Sequence, residues 1–108
     1  VGSTVYFGYD RFDVDSAARM TLEKQAAWLA EHPELSITVE GHADERGTRE
    51  YNMALGERRA NSVKNYLVAL GVSPSRIMVV SYGKERPIAL GANESAWSKN
   101  RRGFTTVD

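Results

Sequence analysis

Two charged side chains of opposite sign, Asp44 and Arg59, lie in a stretch whose pattern changes from strand to helix. A carboxylate binds an ammonium group, and a guanidinium can bind a carboxylate through two parallel hydrogen bonds. Together they would suit a zwitterionic ligand. Charge-assisted hydrogen bonds contribute roughly 1.5–3 kcal/mol each, so this pair with a few backbone donors would support about micromolar binding after the cost of association.

Helical periodicity separates Arg59 from its neighbour Arg58. The apolar residues that follow share one helical face at about 100° per residue, namely Ala60, Val63, Leu67 and Leu70. Arg58 then points into solvent, whereas Arg59 lies at the edge of the buried face, roughly 60° from its centre, and can reach the loop that holds Asp44. Two interpretations remain open: the pair binds a ligand, or it forms an internal salt bridge that only holds the loop.

A catalytic interpretation has little support. A hydrolytic site would need His42 with Asp44 or Glu45, or a metal ion held by them. The chain has only two histidines, His-x-Asp is not a usual metal-ligand spacing, and no third ligand is evident. Neither a nucleophile elbow nor a phosphate-binding loop is present. We therefore expect no catalytic residue, no metal and no cofactor, and we expect His42 to be a hydrogen-bonding loop residue.

Length and charge limit the class of protein. The 108 residues are typical of one domain, spanning residues 1–108, and the 42% hydrophobic content is enough for a modest core. Lys plus Arg and Asp plus Glu both number 14, which argues against binding nucleic acid through a basic face. Cysteine is absent, which excludes disulfides and thiolate chemistry.

The sequence, and its N-terminus in particular, bears on how the protein contacts a membrane. No apolar run approaches membrane-spanning length, and no signal sequence is present. The chain starts at Val1 without a methionine. We expect a fragment or a processed form that has lost a targeting segment or a lipid anchor, so that contact with a membrane is made only through that anchor.

The elements that must position the charged pair follow from local patterns. Strands are predicted over residues 4–7, 35–40, 77–82 and 103–107, and helices over residues 16–31, 48–70 and 93–100, with a single turn at residues 73–74. The order β-α-β-α-β-(short α)-β predicts an α/β (α+β) two-layer sandwich, with helices on one face of a mixed sheet. The nearly continuous apolar run of the third strand favours a central position.

Particular residues delimit these elements. The first helix has three candidate N-caps, Asp13, Asp15 and Ser16. Thr48 and Asn93 are candidate N-caps of the other two helices, and Gly71 is a natural residue after a helix end. We expect Trp28 to lie in the core and His32 to be a solvated residue at the end of the first helix. Of Arg101 and Arg102, we expect one to be a surface charge and the other a structural contact.

Three consecutive segments carry a family resemblance: Gly41-His42-Ala43-Asp44-Glu45-Arg46-Gly47-Thr48, Tyr51-Asn52 and Leu55-Gly56-Glu57-Arg58-Arg59-Ala60-Asn61. They resemble OmpA-like peptidoglycan-binding domains over about residues 5–104, and the loop 43–47 is most similar to lipoprotein members of that family. The chain departs from the family at Gly8, where an acidic residue is common, and at Gly103, where an apolar residue is usual. Acidic contacts from the loop after the first strand therefore depend on Asp10.

The resemblance implies a ligand, the diaminopimelate residue of peptidoglycan stem peptides, bound by Asp44 and Arg59. Diaminopimelate has an ammonium and a carboxylate on one terminal carbon, whereas lysine offers only the ammonium. Leaving a partly buried Arg59 without a partner would disfavour lysine-containing peptides. Further contacts are expected from Thr48, Tyr51 and Asn52, and from Phe7 and Asp10 at the exit of the first strand.

A mixed-sign surface surrounds the same loop: Glu45, Arg46, Arg49, Glu50, Glu57 and Arg58. Such charge density is usual for a solvated surface. In lipoprotein members of the family an overlapping surface docks the periplasmic β-propeller protein TolB, so the resemblance implies a TolB-like partner, with competition between partner and cell wall as a hypothesis. The implied function is tethering of the outer membrane to peptidoglycan at its periplasmic face. The alternative is the same domain in a porin or a flagellar stator protein.

Overall fold

The computed structural model describes residues 3–108. Their elements are β1 (Thr4–Tyr6), α1 (Ser16–Glu31), β2 (Ile37–His42), α2 (Arg49–Ala69), β3 (Ile77–Gly83), α3 (Glu94–Asn100) and β4 (Arg102–Val107), with a 3₁₀ turn at Pro74–Arg76. The predicted order of helices and strands is confirmed. Within residues 3–108, no helix combines the length and apolar character needed to cross a membrane.

The strands form a mixed sheet in the order β1-β4-β2-β3. β2 runs parallel to β3 and antiparallel to β4, and β1 is antiparallel to β4. β3 lies at an edge, so the prediction of a central position is wrong. Its apolar run is covered by helices on one side only, and Met78 on the other side is 65% exposed. The parallel pairing brings the loops after β2 and β3 to the same end of the sheet.

One hydrophobic core joins the sheet to α1 and α2. Leu22 and Leu29 of α1 and Val63 and Leu67 of α2 are buried in the same cluster as residues of β1, β2 and β3. The two-layer arrangement follows because each amphipathic helix buries its apolar stripe against one face of the sheet. Leu70, placed on the buried face of α2 by periodicity, is the C-cap and is 40% exposed, so that prediction is wrong.

Glycine brings α2 unusually close to β2. A methyl group on Gly41 would overlap the backbone carbonyl of Gly56 in α2, and one on Gly56 would meet the side chain of Ser81. Gly41 continues β2 and pairs with Ser81 and Gly103. Gly47, in the loop before α2, has a φ of +97°, a conformation that favours glycine. A side chain would therefore hinder the backbone at both Gly41 and Gly47.

The element boundaries agree with the predicted caps. The side chains of Asp15, Thr48 and Asn93 each accept a hydrogen bond from the backbone three residues on, at 2.8, 3.1 and 2.9 Å. β2 begins and ends two residues later than predicted, because the N–H of Leu35 closes a turn onto His32 O and the ladder continues through His42. β1 ends at Tyr6, one residue early.

The end of α1 also differs from expectation. His32 is half-buried: its Nδ1 lies 2.9 Å from the carbonyl oxygen of Trp28, and the two rings stack with centroids 4.5 Å apart. The prediction of a solvated His32 is therefore wrong. Trp28 packs partly buried against the core, in agreement with its predicted place.

Candidate functional site

Asp44 lies in the loop that joins β2 to α2. The N–H of Ala43 donates to the carbonyl of Gly83 at 2.8 Å, which extends the contact between β2 and β3 by one residue. Two side chains then fix the loop: Asn52 Nδ2 donates to Arg46 O at 2.8 Å, and Lys84 Nζ donates to Gly47 O at 2.5 Å. The position of Asp44 is therefore set by the sheet on one side and by α2 on the other.

Arg59 is fully buried and connects α2 to two other parts of the chain. Its Nε donates to Arg11 O at 2.8 Å, Nη1 to His42 O at 2.9 Å and Nη2 to Gly8 O at 3.1 Å. Periodicity placed it at the edge of the buried face, and the structure buries it completely because the loop after β1 folds over it. A guanidinium has five N–H donors. Three of them are used by the hydrogen bonds to carbonyls, so two donors are left for another partner.

The charge of Arg59 persists despite this burial. Burial lowers its pKa from 12.5 to about 10, while Asp44 raises the pKa and Arg101 lowers it further. A pKa of about 10 keeps the guanidinium protonated at neutral pH. A buried cation with two unused donors is a suitable group for an anionic ligand.

Asp44 and Arg59 line one cavity of about 70 Å³. Within residues 3–108 they form no ion pair with each other, so the internal Asp44–Arg59 salt bridge that the sequence left open is not formed. The cavity is lined by Tyr9, Asp10, Asp44, Arg46, Gly47, Tyr51, Asn52, Leu55 and Arg59.

The carboxylate of Asp44 is paired with Arg46 instead. Arg46 Nη2 lies 2.8 Å from Oδ2, and its Nε and backbone N–H donate to Oδ1 at 3.2 and 3.0 Å. The guanidinium of Arg46 is held between the rings of Tyr9 and Trp97, 4.0 Å from each centroid. The sequence analysis assigned Arg46 to the mixed-sign surface, and in the structure Arg46 also lines the cavity.

Arg101 is a second cation beside Asp44. Its Nη1 lies 3.5 Å from Asp44 Oδ2 and has no hydrogen-bond partner within residues 3–108, while Nε donates to Phe7 O and Nη2 to Glu94. Burial of Asp44 raises its pKa, but the hydrogen bonds from Arg46 and the nearby guanidinium of Arg101 lower it by more, so the pKa lies below its ordinary value. Asp44 is therefore an anion held between two cations.

Both Arg101 and Arg102 are buried, each 6% exposed. The prediction that one of them is a surface charge is therefore wrong. Arg102 donates through Nη2 to Arg86 O at 3.0 Å, and burial lowers its pKa. Two of their carbonyl partners, at Phe7 and Arg86, come from distant positions, which helical or strand periodicity does not encode.

The other predicted ligand contacts divide into two groups. Asp10, Tyr51 and Asn52 line the cavity, and the Tyr51 hydroxyl donates to the Asp10 carboxylate. Thr48 does not line it, because its hydroxyl caps α2. Phe7 is a core residue whose ring lies 5.4 Å from the guanidinium carbon of Arg59.

The mixed-sign surface is exposed at five of its six positions, with Arg46 half-buried. Arg49 pairs with Glu85, and Arg58 lies 5.7 Å from the ring of Phe12. The prediction that Arg58 points into solvent while Arg59 does not is confirmed.

His42 is the last residue of β2 and not a loop residue. It is 1% exposed, its Nε2 lies 3.0 Å from Glu40 Oε1, and burial lowers its pKa while Glu40 raises it. Among residues 3–108, no group of three or more histidine or acidic side chains is placed to hold a metal ion.

Sequence reasoning missed Tyr9, Leu55 and Arg101, and it missed the inward contacts of Arg46. Tyr9 adjoins Asp10 in the loop after β1, and Leu55 lies one helical turn before Arg59, so adjacency to predicted contacts was an available signal. The contact of Arg101 with Asp44 joins α3 to the β2–α2 loop, and no local pattern predicts such a pairing.

The fold and this site place the chain in a known family: it belongs to the OmpA family, whose model matches residues 6–101. Among its relatives is the peptidoglycan-associated lipoprotein of Rhizobium meliloti (strain 1021), 50% identical over 107 residues, which are 99% of this chain and 61% of the relative. A second, from Pasteurella multocida (strain Pm70), bears the same name and is 50% identical over 100 residues, covering 93% of this chain and 67% of the relative. The resemblance stated from the sequence is therefore confirmed.

Solved structures agree with the architecture. The crystal structure of the peptidoglycan-associated lipoprotein from Burkholderia pseudomallei superposes with a TM-score of 0.96 at 41% identity, over 99% of this chain and 91% of that one. The predicted OmpA-like mixed α/β fold is confirmed. The chain spans about three fifths of the length of the Rhizobium and Agrobacterium relatives.

Proposed function

We propose that this chain binds peptidoglycan non-covalently through the diaminopimelate of its stem peptide and thereby tethers the outer membrane to the cell wall, as part of a Tol-Pal system. Membership of the OmpA family and relatives named peptidoglycan-associated lipoprotein support this proposal. In this role the domain breaks no bond. It lies at the periplasmic face of the outer membrane, lipid-anchored in the full-length protein.

One observation carries the proposal: Asp44 and Arg59 line the same cavity without neutralising each other. The two unused N–H bonds of Arg59 suit the carboxylate of the ligand, and the carboxylate of Asp44 suits its ammonium. A lysine side chain would leave the buried, cationic Arg59 without an anionic partner, and this disfavours binding of a lysine-containing peptide.

Titration with two synthetic stem peptides tests this proposal, one containing diaminopimelate and the other lysine at the same position. We expect the wild-type chain to prefer the diaminopimelate peptide by tenfold or more, since losing a charge-assisted hydrogen bond costs roughly 1.5–3 kcal/mol. Asp44→Asn should weaken binding of both peptides. Arg59→Lys should reduce the preference, because a single ammonium cannot form the bidentate contact.

Arg58→Gln is the matched control, because Arg58 adjoins Arg59 in α2 but is exposed. It should leave both affinities unchanged. Equal binding of the two peptides by the wild-type chain would contradict the proposal, and a stronger effect of Arg58→Gln than of Arg59→Lys would contradict the assignment. Mass spectrometry of the recovered peptides should show them intact, and cleavage products would favour an enzyme.

The mixed-sign surface is the proposed docking site for a TolB-like β-propeller protein. Glu45 and Arg46 belong both to this surface and to the loop that shapes the cavity, so partner and peptidoglycan would compete. Peptide affinity measured with and without saturating partner tests this competition, and an unchanged affinity would refute it.

The alternative host is a porin or a flagellar stator protein with the same domain. The C-terminal domain of Helicobacter pylori MotB superposes with a TM-score of 0.83 at 23% identity, which shows a shared fold only. The relatives at 50% identity favour the lipoprotein.

A further inference from the structure

The carboxylate of Asp44 is occupied in the structure, although it is the group assigned to the ligand's ammonium. Arg46 contacts both of its oxygens, at 2.8 Å through Nη2 and at 3.2 Å through Nε. This is the bidentate geometry in which a guanidinium binds a carboxylate most strongly. A ligand ammonium at Asp44 therefore competes with a cation of the chain itself.

Two aromatic rings hold Arg46 in this position. Its guanidinium lies between Tyr9 and Trp97, 4.0 Å from each ring centroid, and a planar cation over an aromatic face gains about 0.5–1 kcal/mol at an exposed site. The two rings come from the loop after β1 and from α3. We call Arg46, Tyr9 and Trp97 the arginine clamp.

A ligand that binds both charged groups must move the clamp, because Arg46 already contacts both oxygens of Asp44. An ammonium, a carboxylate and the carbon that joins them comprise five heavy atoms that must reach both Asp44 and Arg59. Arg46 lines the cavity, is 30% exposed in its side chain, and can swing outward into solvent without uncovering the core.

A second cation keeps Asp44 in its anionic form when Arg46 leaves. Arg101 Nη1 lies 3.5 Å from Asp44 Oδ2, is buried, and has no hydrogen-bond partner within residues 3–108. Opening the clamp therefore removes one of two cations beside the carboxylate. The vacated oxygens remain negatively charged and become available to an ammonium.

We propose that Arg46 competes with the ligand's ammonium for Asp44 and closes the site when it binds that carboxylate. This competition sets both the affinity for the ligand and the rate of its association. This inference rests on the proposed function, because it assigns the ligand's ammonium to Asp44. The apparent dissociation constant of a site that is open for only a fraction of the time is the intrinsic constant divided by that fraction. Removing the competitor raises the open fraction and tightens binding.

The test compares wild type with Arg46→Gln and Arg46→Lys, using a synthetic diaminopimelate stem peptide in stopped-flow and equilibrium titrations. Arg46→Gln should bind about tenfold more tightly, the size of one lost charge-assisted contact, and the gain should lie in the association rate. The affinity of Arg46→Lys should lie between those of wild type and Arg46→Gln, since an ammonium keeps the charge but cannot contact both oxygens. Arg19→Gln is the matched control, because it removes an equal charge from an exposed position on α1 that lies outside both the cavity and the mixed-sign surface.

The outcomes separate the clamp from the proposed function. Tighter and faster binding by Arg46→Gln, with binding by Arg19→Gln unchanged, supports the clamp. Unchanged or weaker binding by Arg46→Gln, while wild-type binding still depends on Asp44, overturns the clamp and leaves the proposed function standing. A wild-type chain that does not bind the peptide overturns both. Thermal unfolding of each variant confirms that the comparison is made between folded proteins.

Discussion

Replacing Arg59 with methionine should strongly destabilise the fold. The substitution keeps an unbranched side chain of similar length but removes hydrogen bonds to the carbonyls of Gly8, Arg11 and His42. Leaving a buried acceptor without a donor costs about 1–3 kcal/mol. The carbonyl of Gly8 keeps the N–H of Arg11 as a donor, so the carbonyls of Arg11 and His42 are the two that lose their donor. Since water can reach part of this region, we take the lower part of that range, which gives a total of about 2–4 kcal/mol.

This loss is a large share of the 5–15 kcal/mol that stabilises a typical domain. Urea unfolding followed by tryptophan fluorescence measures it as a lower midpoint at an unchanged slope. Arg58→Met is the control: it removes the same charge one position earlier, loses only a contact 5.7 Å from Phe12, and should change stability by about 0.5 kcal/mol or less. A loss below about 1 kcal/mol for Arg59→Met, or equal losses for both variants, would refute the three-carbonyl account of this residue.

Two further predictions concern stability. Gly41→Ala should cost 3 kcal/mol or more, because its methyl group would overlap the carbonyl of Gly56 and force α2 away from β2; a thermal midpoint within a few degrees of wild type would contradict the close contact. The pKa of Asp44 lies below its ordinary value of 3.8, so its contribution to stability is present above that pH and is lost as pH falls through the folded-state value. Wild type should therefore lose stability relative to Asp44→Asn as the pH falls below about 4, and an unchanged difference in stability between the two proteins would count against the shift.

Local patterns predicted those features that local chemistry determines. Thr48 and Asn93 were predicted as caps, and Asp15 was one of three candidates for the first helix, because a side-chain oxygen there reaches the backbone of its own helix. The distinction between Arg58 and Arg59 followed from one helical period. The edge position of β3 was missed because a continuous apolar run shows only that a strand is hydrophobic, and the strand order depends on partners elsewhere in the chain.

The charged contacts of the site were predicted only in part. The resemblance named Asp44 and Arg59, but the partner of Asp44 proved to be Arg46, two residues away, with Arg101 behind it. Hydrophobic periodicity treats an arginine as a surface residue, and it contains no information about carbonyls from a distant loop. The burial of Arg59, Arg101 and Arg102 depends on such carbonyls, at Gly8, Arg11, Phe7 and Arg86 among others.

The three carbonyls around Arg59 come from the exit of β1 and the end of β2, while the guanidinium comes from the middle of α2. The proposed binding site therefore forms only when the whole polypeptide has folded around that side chain. Ligand binding and folding are consequently linked by mass action. A saturating ligand, at about a hundred times its dissociation constant, would add about 2.7 kcal/mol to the stability, so under the proposed function the cell wall would stabilise the domain that binds it.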